Sequence, residues 1–354
     1  MAKIKVLLIF GGVSTEHEVS RYSASSIIKE IDDNIYDLYA LEISKKNEFL
    51  LYSLEEKKED IVSDIQKINN TLNKREIDLS INFIKTYDVI FPIIHGSGGE
   101  DGHLQGLFEI SKVSYVGANV ISSAIGMDKA ICKVLFNNAK IPQAKYLQFT
   151  CDDTNKYIIS EIEKIFTYPV FVKPACLGSS VGVTKAYNKE QLLEGIKLCK
   201  KVERKILVEE YIVGRELECA VMGDYNEVVV SNVGEVVLKS DFYSYKAKYI
   251  SEEKTYIPND IDKNTQELIK AYAIKAFKAI DCYGLARVDF FLTKDNKPIL
   301  NEINTLPGFT TISMFPKLMI AYGIEYKKII TKLIEYAIDR KKKYDFVFDL
   351  EEVK

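Results

Sequence analysis

The apolar run IKVLLIF at residues 4–10 stops on Gly11 and Gly12 and gives way to polar STEHEVS and a helix-like SRYSASSIIKEI. A run that is continuously apolar rather than alternating belongs to a strand covered on both faces. Strand, tight turn and helix in that order predict the first unit of an open, mainly parallel α/β sheet. A second strand follows at YDVIFPIIHG and runs into GSGGEDGHLQG, a glycine cluster that cannot be helix or strand interior. Between them, the Lys/Glu/Asn-rich residues 44–85 show little apolar periodicity until DLSINFI, and they are expected to form a surface-exposed part of the same unit.

After KVSYVG, SSAIGMDKAICKVLFNNAKI reads as a helix that ends at Ile141-Pro142, near the passage to a second unit. There YPVFVKP predicts a strand, ACLGSSVG a loop, VTKAY a strand, KEQLLEGIKLCKKV a helix and KILVEEYI an edge strand. Beyond Gly214 come strands at ELECAVMG and EVVVSNVGEVVL, a helix at NTQELIKAYAIKAFKAI, strands LARVDFFL and KPILNEIN, and a final helix near YKKIITKLIEYAIDR. The alternation carries no GxGxxG dinucleotide fingerprint. No internal repeat or low-complexity segment is visible, and the tail KKKYDFVFDLEEVK is charged.

With 354 residues, 47% of them hydrophobic and 28% charged, the chain can bury a large core, and its length predicts two or three domains. A formal net charge of -3 gives no global attraction to nucleic acid or an anionic membrane, so any phosphate binding is local. Cys132, Cys151, Cys176, Cys199, Cys219 and Cys282 form no CxxC pair and are expected to be reduced thiols. The apolar part of MAKIKVLLIFGG is too short for a signal peptide and no later run approaches a membrane span, so a cytoplasmic location is expected.

Chemistry concentrates at strand ends. In NEINTLPGFT, Glu302 and Asn304 lie two residues apart and so face the same way at the end of a strand, with Asp289 on the strand before. Oxygen ligands of this kind suit Mg²⁺ rather than a transition metal. Lys173 ends an apolar strand, where an ammonium is costly unless an anion meets it, and the adjoining CLGSSVG lets backbone N–H groups approach a phosphate. An ordinary hairpin turn is the bland reading of that loop, and a solvated surface cation is the bland reading of Lys129. In VEEYIVGRELE, Glu209 or Glu216 is placed to accept from an adenine amine or a ribose hydroxyl, although solvated glutamates give the same pattern. His17, His95 and His103 have no zinc spacing. His95 ends an apolar strand at the sheet edge where such folds bind ligands.

GGVSTEHEVS, HGSGGEDGHLQG, GMDK, FVKPACLGSSVG, VEEYIVGRELE, FYSYKAKY, ARVDFF and NEINTLPGFT resemble, in the same order, the motifs of D-alanine–D-alanine ligases of the ATP-grasp superfamily. The resemblance covers residues 4 to about 335. It implies a mixed α/β ATP-grasp fold: an N-terminal open parallel-sheet substrate domain at 1–117, a central lid domain at 118–213, a C-terminal catalytic domain at 214–345 and a charged tail at 346–354. It further implies ATP-dependent joining of two D-alanine molecules through a D-alanyl phosphate, for peptidoglycan precursors, by a homodimer that needs neither nucleic acid nor membrane.

Residue by residue, the resemblance places Lys129 and Lys173 on the ATP phosphates, Glu209 and Glu216 on adenine and ribose, and Asp289, Glu302 and Asn304 on two Mg²⁺ ions, for which Mn²⁺ can substitute. Arg287 and the N–H of Gly308 match the oxyanion donors. Glu16 matches the acceptor of the first substrate's ammonium and joins a triad with Ser179 and Tyr249 of the loop FYSYKAKYISEEKTYIP. Lys248 and Ser313 match contacts to the second substrate's carboxylate or to the phosphates, and His95 a neighbour of its amine. Relatives that make D-alanyl-D-lactate usually carry histidine at Tyr249, and the D-lactate and D-serine variants usually have arginine at Met314. An apolar Met314 therefore points to D-alanine in the second site. Ser244 and Lys246 depart from acidic residues often found in that loop. The rival readings are a D-alanine–D-serine or D-lactate ligase, a different ATP-grasp carboxylate–amine ligase, and a non-catalytic nucleotide-binding descendant. A degenerate descendant should have lost a metal ligand or Arg287, and none is missing.

Overall fold

The computed structural model describes residues 2–53, 56–67, 72–179, 181–237, 254–258 and 260–344. The expected tail at 346–354 and the loop residues Ser244, Lys246, Lys248 and Tyr249 lie outside the described residues. Three sheets organise the chain. The first has β1 (Ile4–Gly11), β2 (Tyr36–Ile43), β3 (Phe49–Tyr52), β4 (Lys74–Glu76), β5 (Val89–Pro92) and β6 (Ser114–Tyr115) in the order β4-β3-β2-β1-β5-β6. The second has β7 (Tyr146–Thr150), β8 (Val170–Pro174), β9 (Thr184–Ala186) and β10 (Lys205–Glu210) in the order β7-β10-β8-β9. The third has β11 (Gly214–Gly223), β12 (Val228–Val230), β13 (Gly234–Val237), β14 (Lys254–Tyr256), β15 (Gly284–Thr293) and β16 (Pro298–Asn304), ordered β14-β13-β11-β15-β16 with β12 on β11.

β1 sits between β2 and β5, parallel to both, and Val6 through Phe10 are fully buried. Their alternate side chains feed two different cores: Val6, Leu8 and Phe10 face one, Leu7 and Ile9 the other. That is why the run is continuously apolar. Val6, Leu8 and Phe10 share their core with Leu285 of β15 and with Phe315 and Ile329 from helices 314–321 and 326–344. The first sheet and the C-terminal helices are thus one packed body, and this packing holds the loop after β16 against the first sheet.

Four local expectations are corrected. KILVEEYI is not an edge strand, because β10 is paired with β7 on one side and β8 on the other. Its apolar run reflects that central position, and only residues 211–213 beyond it lie outside strand structure. The single helix expected at SSAIGMDKAICKVLFNNAKI is two, 120–127 and 129–138, broken at Asp128. The Asp128 carboxylate caps the second by accepting from the N–H groups of Ala130 and Ile131 and pairs with Lys205. That second helix buries Cys132 and Phe136 in the core of the third sheet rather than the second.

The third correction concerns residues 44–85, which are not simply surface. Lys74 lies 2.6 Å from Glu42 and 3.2 Å from Asp64, and the Tyr52 hydroxyl donates to both carboxylates at 3.3 and 3.1 Å. Arg21 approaches Glu42 at 3.3 Å, and Glu42, Asp64 and Arg21 are all buried. A high charge count concealed a buried, mutually compensated cluster. The fourth is the strand at YDVIFPIIHG, which is β5 and not the second, because β2, β3 and β4 come before it. β16 also carries a bulge: Asp289 pairs with Glu302 but Phe290 with Leu300, which leaves Asn301 as the extra residue. All six cysteines are free, and burial pushes the Cys132, Cys176 and Cys199 thiols up to about 12. Among the described residues, no helix is long and apolar enough to cross a membrane.

Candidate active site

The three sheets converge on a cleft of about 1420 Å³. The first sheet contributes the loop after β1, with Glu16, and the end of β5, with His95. The second contributes Lys173 at the end of β8, Ser179 in the following loop and Glu209 on β10, and helix 129–138 brings Lys129 at its start. The third contributes Glu216 on β11, Arg287 on β15 and Glu302 and Asn304 on β16. Gly308, Ser313 and Met314 follow in the loop and at the start of helix 314–321. Asp289 stands just behind this wall. It is 9% exposed and takes a bidentate pair from Arg287, Nε to Oδ1 at 2.8 Å and Nη2 to Oδ2 at 2.7 Å.

Strand chemistry explains the acidic end. Asp289 and Glu302 are opposite each other on β15 and β16, and Arg287 and Asn304 are the next facing pair on the same side. Asn304 donates to Asp289 Oδ2 at 3.1 Å, and Lys129 lies 3.7 Å from Glu302. The bulge at Asn301 adds a further amide to the cleft, whose oxygen accepts from Lys173 at 3.5 Å. A bulge breaks the two-residue period, so reasoning from alternation passes over Asn301.

Glu209 is held more tightly than a surface glutamate. Its two oxygens meet Lys173 at 2.8 Å and Lys133 at 3.1 Å. Burial alone would push its carboxyl up, but the two lysines prevail and hold it at about 2. For Lys173, burial acts to lower the ammonium and Glu209 outweighs it, so the net shift is upward and the cation persists. Lys133 was not singled out from the sequence. The available signal was its position four residues after Lys129, on the same helix face.

On the opposite wall, Ser179 donates to Glu16 Oε1. Ser179 has φ +52, a left-handed backbone that is uncommon for a non-glycine residue. Glu16 is approached closely by backbone: a Cβ on Gly96 would lie 3.0 Å from Oε2, and one on Gly178 3.3 Å. Glu100, also unremarked in the sequence although it lies inside HGSGGEDG, accepts from the Gly96 N–H at 3.0 Å. Burial first, and then the neighbouring Glu16 charge, push its carboxyl up to about 8.

His95 bonds Leu306 O through Nδ1 at 2.9 Å, and its Nε2 lies 3.2 Å from Ser23 Oγ. A carbonyl can only accept, so Nδ1 carries the proton and Nε2 accepts from the Ser23 hydroxyl. Ser23 Oγ in turn accepts from the Phe309 N–H at 3.1 Å. Burial lowers the His95 pKa, so the ring is neutral. It fastens the loop after β16 to the first sheet. His17, by contrast, is buried away from the cleft with Nδ1 on Gly12 O, and His103 is exposed beside Asp101.

Among the described lining residues, carboxylates outnumber basic groups. No group of three or more His, Cys, Asp or Glu is gathered tightly enough among those residues to hold a metal by itself. The donor set at the strand ends is instead two carboxylates and an amide, all hard oxygens. A polyphosphate entering so acidic a cleft requires added positive charge, and these oxygens suit Mg²⁺.

Comparison with known proteins places this geometry in context. The family model described as D-ala D-ala ligase N-terminus matches residues 5–118, and the one described as D-ala D-ala ligase C-terminus matches residues 135–335. The chain is 44% identical to a D-alanine–D-alanine ligase of Acetivibrio thermocellus, over 96% of both chains, and 41% identical to one of Proteus mirabilis, over 97% of both. Among solved structures, a D-alanine-D-alanine ligase from Coxiella burnetii matches with a TM-score of 0.84 and 31% identity, over 99% of this chain and 100% of that one. The VanG D-Ala:D-Ser ligase of Enterococcus faecalis matches with a TM-score of 0.85 and 36% identity, over 95% and 100%.

Proposed function

Because the chain belongs to the D-alanine–D-alanine ligase family and shares its ATP-grasp fold, we propose that its cleft joins two D-alanine molecules, with ATP converted to ADP and phosphate, to supply D-alanyl-D-alanine for peptidoglycan precursors. One observation carries this reading. Lys129 and Lys173 from one side, and Arg287, Glu302 and Asn304 from the other, line a single cleft. The substrate-type residues Glu16 and Met314 line the same space.

The carboxylate of the first D-alanine attacks the γ-phosphate, and the amine of the second then displaces phosphate from the acyl phosphate. Lys129 and Lys173 steady the phosphates, and Glu216 is placed for the ribose. Glu209 serves adenine from a carboxylate fixed by Lys173 and Lys133. Glu302, Asn304 and Asp289 would hold two Mg²⁺ ions. Those ions would neutralise the transferring phosphoryl group. Glu16, oriented by Ser179, receives the first ammonium. Ser313 stands at the N-terminus of helix 314–321, whose free N–H groups and dipole favour the second substrate's carboxylate. Arg287 and the Gly308 N–H face the developing oxyanion, and Met314 gives the substrate methyl an apolar neighbour. Tyr249 and Lys248, outside the described residues, complete the set by resemblance. The 1–117, 118–213 and 214–345 division, a homodimer and a cytoplasmic location, where thiols stay reduced, belong to the same proposal.

Lys173→Ala is expected to raise the KM for ATP about ten- to hundredfold, the worth of a charge-assisted hydrogen bond. An unchanged ATP KM would remove Lys173 from the phosphates. The likeness to a D-Ala:D-Ser ligase makes D-serine the second reading for the second site. Phosphate release from ATP and Mg²⁺ with D-alanine alone, then with D-serine or D-lactate added, with products identified by mass, separates them. D-alanyl-D-alanine as the dominant product is the expected result. A mixed product would show that Met314 does not set the second site. No D-alanine-dependent release would move the chain to a different ligase reaction or to nucleotide binding without turnover.

A further inference from the structure

β11, β15 and β16 bring three carboxylates into one cross-strand row: Glu218 stands opposite Asp289, and Asp289 opposite Glu302. Like charges directly opposite one another repel, so such a row needs cations set into it. Arg287, two residues before Asp289 and on the same face, is one. Its Nε is 2.8 Å from Asp289 Oδ1 and also 3.2 Å from Glu218 Oε2. Glu218 is 6% exposed, and it lines the cleft.

Asp289 is the contested member of the row. It accepts two bonds from Arg287 and one from Asn304, and under the proposed function it also serves a metal ion. Charge that Asp289 would share with such an ion would weaken its grip on Arg287. Glu218 sits on the far side of Asp289 from Glu302, two strand spacings away, or about 9–10 Å between backbones. It therefore holds the guanidinium from the side away from the β16 oxygens.

We infer that Glu218 is a positioning residue: it shares the anchoring of Arg287 with Asp289, and so keeps the guanidinium aimed at the reacting carbonyl. This rests on the ligase reading of the cleft. An amide at 218 keeps the shape but removes the negative charge that the Arg287 guanidinium meets at 3.2 Å.

The test compares wild type, Glu218→Gln, Glu218→Asp, Arg287→Ala and the Glu218→Gln/Arg287→Ala double variant, each checked for folding by circular dichroism. Glu218→Gln is expected to lower kcat about ten- to hundredfold with the KM for ATP within about twofold of wild type, and Glu218→Asp to recover part of the rate. The double variant should be no slower than Arg287→Ala alone, because Glu218 acts only through that arginine. Mn²⁺ titrated into the ADP complex and followed by paramagnetic resonance should bind as it does to wild type. Wild-type kcat in Glu218→Gln, no rescue by Glu218→Asp, or multiplied losses in the double variant would each overturn the inference. So would a tenfold loss of Mn²⁺ affinity, which would place the effect of Glu218 on the metal site and not on Arg287. A wild-type chain with no D-alanine-dependent phosphate release overturns the ligase reading, and this inference with it. An active wild type with an unaffected Glu218→Gln overturns only the inference.

Discussion

Arg287→Ala is expected to lower kcat about 10²- to 10³-fold while the KM for ATP stays within about twofold. The magnitude is that of deleting one preorganised donor to a transition-state oxyanion in a site shielded from water. The geometry supports placing the effect on kcat. Arg287 is fixed along one edge by Asp289 and Glu218, and it lines the cleft on β15, one facing pair away from Glu302. A donor fixed before substrate arrives loses no free energy to reorganisation during the reaction, whereas a mobile lysine ammonium would. Arg287→Lys should therefore recover only part of the loss. Steady-state kinetics with ATP and D-alanine varied in turn check this. A raised ATP KM with kcat intact would assign Arg287 to nucleotide binding instead.

Phe309→Ala is expected to cost about 3–5 kcal/mol of stability, the range for emptying an aromatic site in a packed core. Phe309 is fully buried, and its ring meets Phe91 of β5 at 6.2 Å between centroids, Phe315 at 5.8 Å and Tyr326 at 5.4 Å. Those partners belong to the first sheet and to both C-terminal helices, so the cavity would open at the seam that joins them. The backbone of Phe309 is also tied down, with its N–H on Ser23 and its carbonyl accepting from the Tyr326 hydroxyl. Because Gly308 precedes it, kcat should fall along with stability. Denaturant unfolding measures the first effect and turnover at low temperature the second. A loss below about 1 kcal/mol would mean that the surroundings close over the gap and that Phe309 does not anchor the loop.

Much of the site could be read in the sequence because its chemistry is local. Glu302 and Asn304 face one way because a strand alternates, and Lys173 is conspicuous because an ammonium ends an apolar strand. The helix at 189–202 begins after an Asn188 cap and runs the full length of its pattern. Other features escaped for identifiable reasons. Central β10 and an edge strand both read as short apolar runs, and the difference lies in β7 and β8, which are distant in sequence. The Lys74–Glu42–Asp64 cluster looked like solvated charge because composition counts ions without pairing them. Glu100 gave no signal inside its glycine-rich loop, because its role depends on Gly96 and on Glu16, which is distant in sequence.

The sequence by itself determined many of the strands and helices, the glycine loops that let backbone approach a ligand, the kinds of functional group available and, through motifs in register, the family. Each is a property of a few consecutive residues, set by periodicity, propensity and side-chain chemistry. Only the tertiary structure decided which of those groups meet. Ser179 reaches Glu16 across 163 residues, His95 reaches Leu306 across 211, and Phe309 reaches Ser23 across 286. Contacts of that span form because apolar faces of separate sheets and helices must be buried against one another. The polar groups at their edges are carried into register by that packing, and no short stretch of chain encodes the result.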